Sequence, residues 1–138
     1  MSLEPNKVCP VVLRKSSQGL EILCFTHPAA GNQLVKGTLE PPESPEAGAL
    51  RELAEESGIE SAAVVRSLGY WASGYEGQVW AFFECQPQTE PPDAWVHMAP
   101  DDGGHAFEFF WHPVSRAPDE TLWHPLFRGA LAFLRNVV

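Results

Sequence analysis

Between positions 51 and 58 the chain reads RELAEESG, an arginine followed by three glutamates within five residues. On a helix turning about 100° per residue, Glu52, Glu55 and Glu56 fall within an arc of roughly 100°, while Ala47, Leu50, Leu53, Ala54 and Ser57 share the opposite side. Like charges three and four residues apart each cost a helix a few tenths of a kcal/mol, about 0.2–0.5, so the cluster has no local benefit. Carboxylates converging on one point make an oxygen-rich site for a hard cation such as Mg²⁺ or Mn²⁺, which takes carboxylate and water ligands and bridges to phosphates. Taken alone, an acidic solvated helix face is the commoner meaning of such a run.

The spacing around it alters that reading. From Gly37 the chain runs GTLEPPESPEAGALRELAEESGI, residues 37–59. Gly37 is followed after five residues by Glu43, then after seven by Arg51 and Glu52. The aliphatic Leu53, the Glu55–Glu56 pair, Gly58 and the aliphatic Ile59 complete the series. At average residue frequencies near 7%, a match of this length arises by chance on the order of once in 10⁹ registers. The pattern G-x5-E-x7-R-E-U-x-E-E-x-G-U, with U aliphatic, is the Nudix box, and the chain resembles the Nudix hydrolases.

That resemblance implies an α/β/α sandwich, with a mixed β-sheet packed between the box helix and a C-terminal helix. It also implies cleavage of a nucleoside diphosphate linked to another moiety X, by attack of water on a phosphorus of the pyrophosphate, with Mg²⁺ or Mn²⁺ as cofactor. By analogy Glu52, Glu55 and Glu56 are metal-ligand candidates, with the backbone carbonyl of Gly37 a further one. Glu52, Glu55 and Arg51 form the catalytic set, in which a helix acid activates the water and Arg51 holds the glutamate rotamers, with Glu43 as its partner across the loop. Metal cations would let an acidic protein hold an acidic substrate. Pro42 stands where a glycine commonly precedes the first glutamate of the box, so the loop lacks one backbone donor and one source of positive φ.

Outside the box, Lys36 is a candidate contact for a phosphate chain, with a solvated edge charge as the alternative. Glu108 in AFEFFWHPV sits on a late strand where some relatives place an additional acid near the metals, which by analogy makes it a substrate-binding candidate. Of Tyr70, Trp71, Tyr75, Trp80 and Trp111, core packing is the expectation for most, with base stacking for one. The five histidines show no metal-ligand spacing, and His105 after GG is at most a base carried on a loop. No G-x-S-x-G elbow and no C-x-x-C pair offers a rival chemistry. Three functions remain: the pyrophosphohydrolase; a diadenosine or diphosphoinositol polyphosphate hydrolase, suggested by Lys36; and a non-catalytic nucleotide-binding module on the same fold.

These residues need a frame to hold them. Apolar and β-branched runs at 8–13 and 20–26, separated by KSSQG, predict a hairpin. Gln33–Glu40 reads as one further strand, and PPES after it as irregular. Ser44 as N-cap, Pro45 at the first helical position and Gly58 as a left-handed terminus predict a helix over 45–57. Strands are expected in AAVVRSLGYWA, GQVWAFFECQ and AFEFFWHPV, with a turn at 73–77 and a long polar loop from Gln86 to His105. Pro125 and the apolar series Leu126, Phe127, Ala130, Leu131 and Leu134 predict a C-terminal helix. Strands interleaved with two helices argue for an α/β domain.

The 138 residues are the size of one domain, taken as 1–138, with 44% hydrophobic and 20% charged residues. A net charge of −9 disfavours nucleic-acid duplex and anionic membrane as partners, and an acidic protein that handles phosphates would need metal cations as intermediaries; the partner that the resemblance implies is a nucleotide-derived small molecule. Cys9, Cys24 and Cys85 are odd in number and two sit in apolar strands, so they are expected as buried hydrophobes. No apolar run approaches the roughly 20 residues of a membrane span, and MSLEPNKVCP carries no secretory pattern, so the expectation is a cytoplasmic protein. Oligomeric state stays open, with a homodimer the common form among the relatives.

Overall fold

The computed structural model describes residues 3–100 and 104–138. Among them the chain forms β1 (Lys7–Val11), β2 (Leu13–Ser16), β3 (Gly19–His27), β4 (Gly31–Gln33), β5 (Gly37–Thr38), α1 (Pro45–Ser57), β6 (Ala62–Ala72), β7 (Val79–Pro87), β8 (Trp95–Ala99), β9 (His105–Pro113) and α2 (Pro125–Arg135). One sheet has the order β5-β1-β7-β6 and is mixed, because β1 and β7 run parallel from Lys7↔Trp80 to Val11↔Glu84. The other, β2-β3-β9-β8 with β4 on β3, is antiparallel. The α/β expectation therefore holds.

Alternation along the central strands assembles two cores. Val8, Leu23, Phe25, Phe83 and Phe107 turn to one side and bury Ala49 and Leu53 of α1. Cys9, Ile22, Cys24, Trp80 and Phe82 turn to the other and bury Leu126, Leu131 and Leu134 of α2. Consecutive residues of a strand point to opposite faces, so each of β1, β3 and β7 contributes to both cores. All three cysteines are free and buried. Burial pushes the Cys9 and Cys24 thiols well above their ordinary value, and that of Cys85 up to about 12, which suits the packing role expected of them. No helix among the described residues is long and apolar enough to cross a membrane.

Both helices begin and end where local chemistry directs. The Ser44 side chain accepts from Ala47 N–H at 3.1 Å, Pro45 opens α1, and Gly58 closes it at φ 81°, its N–H donating to Ala54 O. His124 caps α2 by accepting from Leu126 N–H at 3.0 Å, and every apolar residue named for that helix is buried.

Three expectations need correction. The run 8–13 is not one hairpin strand: β1 pairs with β7 in one sheet, and the hairpin with β3 is made by β2 from Leu13 in the other. Gln33–Glu40 is not one strand: β4 pairs with β3 in one sheet and β5 pairs with β1 in the other. The link between them crosses from sheet to sheet, burying Leu34 in the α2 core and Val35 in the α1 core. Nor is 86–105 wholly a loop, since β8 runs through it as an edge strand paired to β9 from Trp95↔Phe109 to Ala99↔His105. Asp101, Asp102 and Gly103 of that stretch lie outside the described residues.

Candidate active site

Helix α1 presents its acids differently from a solvated stripe. Glu52 and Glu56 are 9% and 6% exposed, whereas Ala47, expected on the core side, is exposed. The reason lies in the segment running into β5. The Gly37 backbone lies so close to the Glu52 carboxyl that a β-carbon there would overlap it. Lys36 N–H donates to Glu56 Oε1 at 3.1 Å. Two acids of that face are thus packed under backbone, while Glu55 stays exposed.

Arg51 gathers the remaining charge. Its Nε and Nη2 donate to the two oxygens of Glu43 at 3.0 and 2.7 Å, a bidentate pair, and Nη2 also reaches Thr38 O at 3.0 Å and Glu40 Oε2 at 3.0 Å. Nη1 donates to Glu52 Oε1 at 2.7 Å and, less closely, to Glu55 Oε2 at 3.3 Å. Arg51 therefore binds the box loop to the box helix, and Glu43 is its partner as expected. The hydrogen bonds from Arg51 hold the Glu43 carboxyl at about 2, well below the ordinary carboxylate value. Glu43, first of all, raises the pKa of Arg51 in turn, against the opposing effect of its partial burial.

Gly37, Thr38, Glu40, Arg51, Glu52 and Glu55 line a polar cavity of about 570 Å³ with Lys7 and Lys36, with Glu43 and Glu56 outside its lining. Lys7 Nζ donates to Thr38 Oγ1 at 2.8 Å. Lys36 Nζ lies 5.4 Å from the Trp80 ring centroid and 5.8 Å from that of Phe127, half-buried above two aromatic faces. Burial lowers its pKa, Lys7 lowers it further, and Glu56 opposes both. It is therefore neither a solvated edge charge nor a loose one. Lys7 and Glu40 escaped the sequence reading; Lys7 enters the site only because its partner in the β1–β5 register is Thr38.

Other residues singled out from the sequence lie elsewhere. Glu108 is exposed on β9, alternating with Phe107 and Phe109 of the α1 core, and lines a separate depression with Thr26, Trp95 and Val96. His105 opens β9, its ring 4.8 Å from that of His27. Trp71 and Trp80 pack together in the α2 core, and Trp111 in the α1 core. Tyr70 and Tyr75 are exposed. A cavity of about 540 Å³ at the C-terminal end of α1, between Ile59, Pro91, Trp95 and His97, is more apolar, and its two acids, Glu60 and Glu90, are not those of the box helix.

Among the described residues no three His, Cys, Asp or Glu side chains lie together as a group that could hold a metal ion. Arg51 Nη1 holds both Glu52 and Glu55, while Lys36 N–H holds Glu56. The donors nevertheless fit a hard divalent cation: all are oxygens, and the missing side chain at Gly37 brings its backbone against Glu52. An open, partial donor set is what Mg²⁺ uses when water and substrate phosphate supply the remaining ligands.

A family model of the NUDIX domain matches residues 6–131. The chain belongs to the Nudix hydrolase family. A search of the curated proteins finds no significant match. Among solved structures it is similar to a Nudix hydrolase from Nitrosomonas europaea, with 14% identity, a TM-score of 0.63, and coverage of 97% of this chain and 70% of that one. An ADP-ribose pyrophosphatase from Streptococcus suis 89-1591 is similar at 12% identity and a TM-score of 0.64, covering 98% and 94%. A UDP-X diphosphatase is similar at 16% identity and a TM-score of 0.62, covering 99% of this chain and 65% of the other. At these identities the likeness is one of fold.

Proposed function

We propose that the protein is a divalent-metal-dependent pyrophosphohydrolase that cleaves a nucleoside diphosphate linked to another moiety by attack of water on phosphorus. The observation that carries this is the junction of Gly37 with Glu52, in a cavity lined by Glu40, Glu52 and Glu55 together with Lys7, Lys36 and Arg51. Glu52, Glu55, Glu56 and the Gly37 carbonyl would hold Mg²⁺ or Mn²⁺. When bound, the metal neutralises diphosphate charge and lowers the pKa of water. Glu55, the most exposed of the three acids, is placed to take a proton from an attacking water. Arg51 keeps Glu52 and Glu55 in register through its Nη1, and its tie to Glu43 fixes the loop that carries Gly37. Lys36 and Lys7 bring positive charge to the same cavity, where it would favour a phosphate.

Among the folds it resembles are a pyrophosphatase acting on ADP-ribose and a diphosphatase acting on UDP-X, which favours nucleotide-linked diphosphates as the first class to assay. A second reading, hydrolysis of longer polyphosphates, is favoured by the pair Lys7 and Lys36 sharing one cavity. Assay of ADP-ribose, UDP-sugars, nucleoside triphosphates and diadenosine polyphosphates with Mg²⁺ or Mn²⁺ decides. Metal-dependent release of a nucleoside monophosphate supports the proposal, and binding without turnover of any of them would leave a nucleotide-binding module.

A further inference from the structure

Glu55 and Glu56 occupy the last turn of α1, the wrong end of a helix for negative charge. The partial charge at a C-terminus is negative, carboxylates there are disfavoured, and α1 has no basic residue in that turn to compensate. The last carbonyls of any helix also lack intrahelical donors. Gly58 N–H closes on Ala54 O and Ser57 Oγ on Leu53 O, and the carbonyls of Glu55 and Ser57 lie beyond those two bonds.

Strand β8 supplies what the helix lacks. Trp95 Nε1–H donates to Ser57 O at 3.0 Å, and His97 Nε2 lies 3.1 Å from Glu55 O. A carbonyl only accepts, so this contact assigns the proton to Nε2 of His97. Trp95 and His97 are alternate residues of one strand and meet carbonyls two residues apart on the helix. The His97 ring fills the space left by Gly58, where a β-carbon would come within 2.8 Å of Nδ1. The Trp95 ring is stacked on Phe109 at 4.9 Å and 7°, so its N–H is aimed by packing.

We propose that Trp95 and His97 are positioning residues that hold the Glu55–Glu56 turn of α1 in its metal-binding geometry. This rests on the pyrophosphohydrolase reading. Neither side chain touches the reacting atoms; both act through backbone carbonyls, as outer partners of metal ligands do.

The test compares W95F, H97L and H97Q with the wild-type chain of residues 1–138. W95F keeps the stacked ring and loses the donor, H97L loses the donor, and H97Q restores an N–H. Amide hydrogen exchange at residues 55–58 should accelerate in W95F and H97L and return toward wild type in H97Q. Mn²⁺ affinity by calorimetry, without substrate, should fall about tenfold in the first two and recover in the third. With an active substrate, kcat should fall by a similar factor while KM changes less than about twofold. Removing the cap at the far end of the helix, S44A, should lower thermal stability and leave Mn²⁺ affinity unchanged, separating positioning from general weakening. Wild-type exchange in H97L and W95F would overturn the proposal, as would faster exchange with undiminished Mn²⁺ affinity. Wild-type protein that takes up no Mn²⁺ would instead overturn the functional reading, and exchange would still decide whether β8 holds the turn.

Discussion

Gly37 is required by contact: Glu52 occupies the volume where a side chain would begin. G37A should therefore push the Glu52 carboxyl or the loop aside by about an ångström, enough to lower kcat/KM by about a hundredfold, while circular dichroism stays native. E56Q is a cleaner probe of charge, because a glutamine oxygen can still accept from Lys36 N–H. Its expected outcome is loss of Mg²⁺ or Mn²⁺ uptake and a fall in kcat by orders of magnitude with the melting temperature nearly unchanged; turnover close to wild type would remove Glu56 from the site. Glu43 gives a pH signature. Its carboxyl is depressed in the folded state from an ordinary 4.5 to about 2, so its contribution is complete above 4.5 and is lost as pH falls through about 2. The stability difference between wild type and E43Q should accordingly be constant above pH 5 and shrink between 4.5 and 2, as measured by urea denaturation across that range.

Helix α1 shows what a sequence makes legible and what it hides. Its limits, 45–57, coincide with the reading from Ser44, Pro45 and Gly58, because capping is a local matter of neighbouring atoms. S44A should cost about 1 kcal/mol and lower the melting temperature by roughly 4 °C in a thermal scan. The identity of the acids and of Arg51 with its partner Glu43 was legible for the same reason, as spacing within one segment. Their burial was not, because Glu52 and Glu56 are covered by the 36–37 backbone, which arrives from the other side of the fold. Strand β8 was hidden by its edge position: Val96 and Met98 are exposed and Pro92 and Pro100 bracket it, so neither hydrophobic alternation nor turn placement marks it. The apolar run Trp95–Val96 beside Met98 was the available signal. Lys7 could not be read as a site residue without the register that sets it against Thr38.

At the scale of the molecule, the two cores are not independent. Each of β1, β3 and β7 sends alternate side chains into both, so loosening one sheet face disturbs the other. We expect residues 1–138 to unfold in a single transition. L53A in the α1 core and L134A in the α2 core should each cost about 2–5 kcal/mol and shift that one transition without splitting it, whether followed by fluorescence or by far-ultraviolet dichroism. The parallel pairing of β1 with β7 carries one more consequence. On the ribosome, the segment that begins at Lys7 emerges before its partner at Val79–Pro87, which is translated only after the acidic helix and the whole of β6. Closing so distant a pairing is slow relative to forming a hairpin. The β2–β3 hairpin and α1 can thus form before β7 is made, but the cavity around Gly37 is completed only when β7 slides in beside β1 and anchors the strand on which β5 rests.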